Sequence, residues 1–490
     1  MVAAAVCQTG DMRRDTRVQA LEGPILKSLL TLAVPIIIAN VLQSAYQLID
    51  AFWVGRLGEA AVAAVSVSFP IIFLTIALGS GLGIAGSILV AQYYGANDQK
   101  MVNHVAAQTI LTVIITSLVL GAAGYALTTD VLRLMGVTEG VFEGARGFMH
   151  VAFAGLALSF TFIMFQSVMR GVGEVRLPIY IVGGTVALNA MLDPLFIFGW
   201  GPIPASGVMG AAMATLATQG LAALLGLAFM FGGRFGLKVR WADFRPDFRF
   251  IKQAFFLGLP ASIEMSARAF GIIIMTFLIA SFGTLAIASY GVGTTILQVV
   301  MIPAMGISMA ISTLVGQNIG AGQLDRADRI GRLGAALSFV VLTLAGLVVF
   351  ALAPHLIGFF VPGEERVIAT GSTFLKTMAL AWGFLGAQFA LTGVLRASGN
   401  MMIAMMLTLV SQWVLQFPLA YILSKNTPLG LSGIWWSYPV THVIIALITI
   451  AIFLKGDWKA KRLTGGPEDR LAETVSEEIL SEEAYSGRHS

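Results

Sequence analysis

Two carboxylates stand inside apolar runs, and their surroundings suggest ion chemistry. Asp50 lies in LLTLAVPIIIANVLQSAYQLIDAFWVGRLG (29–58). An ionised group at the centre of a bilayer costs roughly 3 kcal/mol or more. Tyr46 precedes Asp50 by one helical turn and shares its face, and Gln43 belongs to the same stretch. Asp193 lies in LNAMLDPLFIFGWG (188–201), with Asn189 four residues before it. Desolvation favours the neutral form of an aspartate, and a second carboxylate nearby holds the first proton more firmly. Carboxylate, amide and hydroxyl oxygens also suit a hard cation such as Na⁺. Asp50, Asn189, Asp193 and Thr215 are therefore the expected site for H⁺ or Na⁺, with Tyr46 beside it. A second polar group, Glu264 and Arg268, has the i, i+4 spacing of a helical ion pair. It reads first as a self-neutralising structural pair, and otherwise as a gate or substrate contact.

These residues need helices to hold them. Of 490 residues, 57% are hydrophobic and 11% charged, against about 25% charged in a soluble protein. The composition is that of an all-α polytopic membrane protein. Twelve spans are expected near 28–54, 61–92, 102–127, 145–169, 177–199, 207–232, 252–280, 286–317, 330–353, 368–394, 401–423 and 432–454. Several exceed the length needed to cross a bilayer, so they should tilt, kink or project. Pro35 should bend the first. The runs do not alternate in polarity, which excludes barrel strands. With both termini in the cytoplasm, inside segments hold 21 Lys and Arg residues and outside segments 6. Residues 1–24 form a cytoplasmic segment without a signal-peptide core. Residues 456–490 form an acidic cytoplasmic tail. Cys7 is the only cysteine, so neither an internal disulfide nor a thiolate metal centre is expected.

The chain is duplicated. LVAQYYGA (89–96) recurs as LVGQNIGA (314–321), an offset of 225 that also pairs Pro35 with Pro260 and Gly81 with Gly306. MRGVG (169–173) recurs as LRASG (395–399) at an offset of 226. Each copy holds six spans, so the two should be related by an axis along the membrane normal. They form an N-lobe, 25–232, and a C-lobe, 252–455, joined by the basic linker 233–251. Neither acid is copied, since Met275 and Leu419 stand at the equivalent positions.

Helix rise places the acids at one depth. Asp50 is 15 residues past Pro35, about 22 Å, and Asp193 is 15 past Pro178 on another outward-running span. Thr215 is about 12 Å into the sixth span from outside. The chain lacks a GxxxxGK[ST] phosphate loop, HExxH and GxSxG, so neither ATP drive nor hydrolysis has its usual signature. An ion gradient is the remaining energy source.

AVPIIIANVLQSAYQLIDAFWVGRLG, LVAQYYGA, LNAMLDPLFIFGWG and GVMGAAMAT together resemble the multidrug and toxic-compound extrusion (MATE) family, over roughly residues 25–455. Acids in the first half resemble its prokaryotic DinF-like branch. The resemblance implies a two-lobed antiporter, not an enzyme, in the plasma membrane. It would export cationic lipophilic compounds against inward H⁺ or Na⁺ flow by alternating access, and need no cofactor. Small-molecule cations and the bilayer are the expected partners, nucleic acid is not, and the expected state is a monomer. The resemblance gives the ion-site role to Asp50, Asn189, Asp193 and Thr215. Tyr46, Pro35, Gln43, Gln166, Glu264 and Arg268 are cavity or gating candidates; Gln166 stands near where relatives often carry asparagine. The rival reading is a lipid or oligosaccharide-lipid flippase of related architecture. Such a protein would be expected to carry several cations in its cavity, and here only Arg268 is clearly inside a span.

Overall fold

The computed structural model describes residues 17–202, 204–233 and 237–464. Cys7 and the acidic tail from Gly465 onward lie outside the described residues. Ten unbroken helices are long and apolar enough to cross a membrane. They are α1 (Ile25–Gly55), α2 (Glu59–Gly95), α3 (Gln99–Leu134), α5 (Arg176–Phe198), α6 (Gly207–Phe231), α7 (Phe248–Ala280), α8 (Thr284–Gly320), α9 (Leu324–Phe360), α11 (Met401–Lys425) and α12 (Leu431–Lys455). Two bent pairs complete the set: α4a (Glu139–Ala154) with α4b (Leu156–Gly171), and α10a (Glu365–Ala379) with α10b (Trp382–Ala397).

The two breaks fall in spans without a proline. Pro35 and Pro260 sit inside unbroken helices, as does Pro194. The 52° breaks in the fourth and tenth spans fall at Gly155 and at Leu380–Ala381. Positions 155 and 381 are related by the 226-residue repeat, so the duplication reaches down to the breaks. Gly58 and Gly283, a repeat pair with φ of 100° and 96°, turn the chain from α1 to α2 and from α7 to α8. That left-handed region strains any residue with a Cβ.

The linker is fixed beneath the N-lobe. Gln108 of α3 donates to the carbonyls of Asp243 and Arg245 at 2.7 and 2.6 Å, and accepts from the Asp247 amide at 3.0 Å. Asp247 then caps α7, accepting from the amides of Arg249 and Phe250.

The lobes meet at the end of the molecule that carries most of the Lys and Arg, called here the basic end. A Cβ on Gly95 would strike the Gln317 carbonyl, and one on Gly320 the Gln92 carbonyl. The side chains follow the same symmetry: Gln92 Nε2 donates to the Ala397 carbonyl at 2.7 Å, and Gln317 Nε2 to that of Gly171 at 2.9 Å. Further along, Gly81 abuts Gly258 and Ser262, and Gly306 abuts Ile37. Ser262 Oγ donates to the Leu78 carbonyl at 2.6 Å. Among the described residues, no hydrogen bond joins the lobes beyond that level.

Candidate ion-coupling site

α1, α5 and α6 bring the predicted residues together. α5 runs unbroken through Asp193 and Pro194 to Phe198. Asp193 is therefore a mid-helix side chain facing inward and not the cap of a broken helix. Asn189, one turn before it, is the hub. Its Nδ2 donates to Asp50 Oδ1 at 2.5 Å and to Asp193 Oδ2 at 2.9 Å. Its Oδ1 accepts from the Tyr46 hydroxyl at 2.8 Å. Thr215 on α6 donates to Asp50 Oδ2 at 3.3 Å. Asn189 and Asp193 have no exposed surface and Tyr46 is buried. Asp193 Oδ1 is buried with no hydrogen-bond partner among the described residues. Asn189 Nδ2 thus bridges the two carboxyl groups, donating to one oxygen of each.

The arrangement is an acceptor-rich pocket on one side of the N-lobe. Two carboxylates held on one amide group repel when both are ionised, and a proton or a cation relieves that repulsion. The orphaned Asp193 oxygen is where such a species fits, because a buried acceptor without a partner is costly. Sequence reasoning missed Thr218, whose hydroxyl lies 2.8 Å from the Tyr46 oxygen. It follows Thr215 by three, a helix-face spacing that would have found it. Gln166 has no hydrogen bond to this cluster, and neither has Gln43; Pro35 is remote from it along α1.

In the C-lobe, the expected pair is a larger network. Glu264, 2% exposed, accepts from Arg268 at 2.9 Å, Arg396 at 2.5 Å and Thr408 at 3.0 Å, all at Oε1. Arg268 also lies over the Phe389 ring, 5.0 Å from its centroid. The i, i+4 pair expected from spacing is present, and Arg396 joins it as a second cation. Two guanidiniums share one carboxylate, because Arg396, in the last turn of α10b, reaches across to it while α11 packs against α7. α11 widens locally nearby, with a π-helical stretch at Val410–Gln416.

Twelve spans among the described residues, in two repeat-related halves with buried acids in one of them, define a duplicated polytopic membrane protein. The chain belongs to the MatE family, whose model matches residues 35–195 and 260–422, one match per repeat. It is 28% identical over 446 residues to "Probable multidrug resistance protein YoeA" of Bacillus subtilis, covering 90% of this chain and 96% of that one. It is 22% identical to "Multidrug export protein MepA" of Staphylococcus aureus, covering 88% and 94%. Its fold is similar to a solved structure described as the outward-facing conformation of a multidrug resistance MATE family transporter. The TM-score is 0.82 and the identity 24%, over 91% of this chain and 99% of that one. The family's members are membrane transporters, and this chain is a membrane-embedded member.

Proposed function

We propose that this protein is a secondary active multidrug efflux antiporter of the plasma membrane. It exports cationic lipophilic compounds in exchange for H⁺ or Na⁺, with both termini in the cytoplasm. The observation that carries the reading is the sharing of the Asn189 amide by Asp50 and Asp193, together with the unpartnered Asp193 Oδ1. That pair can hold one cationic species, a proton or Na⁺, and releases it only when the pocket changes. Occupation from outside removes negative charge from the N-lobe and weakens its hold on a bound organic cation. The reverse must hold to the same degree, since coupling between two binding sites is reciprocal. The relatives' names support drug export, and the positive charge at the end bearing the linker supports the orientation. The Glu264 network is a structural or gating element of the C-lobe in this scheme.

Proteoliposomes with H⁺ and Na⁺ gradients imposed separately test it, with tetraphenylphosphonium as the transported cation. Exchange should be driven by one of the two gradients and be lost in Asp50→Asn and in Asp193→Asn. Exchange at the wild-type rate in both variants would sink the ion-site assignment.

A further inference from the structure

The four contacts between the Gln92 and Gln317 regions have a functional reading of their own, which rests on alternating access. Gly171 and Ala397 are the last residues of α4b and α10b. Carbonyls in a helix's last turn have no partner within the helix. Here each is satisfied by a side chain from the opposite lobe, through Gln317 and Gln92. Both glutamines are almost completely buried, at 1% and 0% exposed. If the lobes part at this end, two amides and two carbonyls lose their partners together, and only incoming water can replace them. The bonds therefore stabilise the closed arrangement without stabilising the open one. Gln92 is held a third way. Its Oε1 accepts from the Leu463 amide at 2.9 Å, in the segment after α12. The Leu463 side chain lies against Gly399 of the C-lobe and packs on the apolar core of the N-lobe. That segment is itself pinned to the C-lobe by buried Trp458 and by Lys459 with Asp328 at 3.0 Å. The chain's other end does likewise. Arg17 donates to the Gly95 carbonyl of α2, while Arg326 and Asn318 of the C-lobe donate to carbonyls at Gly23 and Ala20.

We propose that Gln92 and Gln317 are the latch residues of the cytoplasmic gate, with the Leu463 segment holding Gln92 in place. They are positioning residues. They touch neither the transported cation nor the coupling ion, and they set how much of the protein is closed to the cytoplasm. Each bond removed should shift that population roughly fivefold toward the open state.

Double electron–electron resonance measures the gate directly. Spin labels are placed at Lys100→Cys and Arg329→Cys, exposed positions on the two lobes at this end, in a Cys7→Ser background. The protein with both glutamines intact should show mainly the short distance. Gln317→Leu and Gln92→Leu should each add a longer population, whereas Gln388→Leu, a buried glutamine within one lobe, should not. Gln317→Glu supplies a sharper readout. Its carboxylate repels the Gly171 carbonyl at pH 8, while its protonated form at pH 5 can donate to it. The long population should therefore shrink on acidification by more than in the protein with Gln317 intact. An unchanged distance distribution in both leucine variants overturns the proposal. If a leucine variant does not fold, Gln317→Asn, which keeps the donor and shortens its reach, is read in the same way. Transport is scored separately in proteoliposomes. Absence of cation–ion exchange in the wild type refutes the antiporter reading, and it does so independently of where the gate's labels lie.

Discussion

Asn189 organises the N-lobe pocket because an amide offers donors and an acceptor at once. Its donors face two carboxylates and its acceptor faces Tyr46. Tyr46→Phe removes that hydroxyl and leaves the Asn189 and Thr218 oxygens short of a partner. It should lower stability by about 1–3 kcal/mol, seen as a lower Tm of the purified protein, while retaining some ion-driven transport. Glu264 makes the opposite case. Glu264→Gln leaves Arg268 and Arg396 together without a counter-charge, and breaking a buried ion pair in this way costs about 3–5 kcal/mol. Arg268→Gln should cost much less, because Arg396 still neutralises Glu264. Tm values of the two variants check the order. Asp50, Asp193 and Asn189 were legible in the sequence because a charged group in an apolar run stands out and helix rise fixes its depth. Arg396 was not. It belongs by sequence to a basic loop motif, MRGVG and LRASG, and only the reach of its side chain from the last turn of α10b takes it to Glu264.

At the scale of the helix, the apolar runs located every span, since a bilayer-crossing helix needs little more than length and hydrophobicity, but the third, fourth and ninth helices run well past the expected ends, because polar turns extend them beyond the apolar run. The breaks were less visible. The two 52° breaks fall in spans without an internal proline, and nothing in composition marks Leu380–Ala381. The helix ends obey local chemistry. Asp247 is held below the usual carboxylate range by the Phe250 amide and, secondarily, by His104. A depressed carboxylate stabilises the fold above its unfolded pKa and loses that contribution as pH falls through the folded value. Asp247→Ala should therefore lower the Tm near neutral pH by the loss of a cap, about 1 kcal/mol, and the gap should close below roughly pH 4. The glycines of the lobe contact are a second element-scale test. Gly95→Ala and Gly320→Ala each drive a methyl into a backbone carbonyl of the other lobe and should destabilise the protein. Gly184→Ala meets nothing within 4 Å and should leave the Tm unchanged or raise it slightly, by helix propensity. Thermal melts in detergent separate these.

Across the whole molecule, the duplicated sequence is visible in three dimensions down to single hydrogen bonds, while the chemistry is not duplicated at all. The N-lobe carries an acid pocket and the C-lobe a network richer in arginine. The repeat therefore supplies the frame, and its two copies differ in the polar groups they bury. The crossing near Gly81 and Gly306 has a mechanical consequence. From Gly81 to Gln92 is 11 residues, and from Gly81 to the far end of α2 at Glu59 is 22; the same counts separate Gly306 from Gln317 and from Thr284. At helix rise these are about 16 and 33 Å. If the lobes rock on that crossing, it acts as the fulcrum of a see-saw with unequal arms. Labels at the far ends should travel about twice as far as labels at the gate, measurable by the same resonance distances. A narrow parting on the inside would then accompany a wide mouth on the outside, and a bulky compound would leave through a larger doorway than the one it entered.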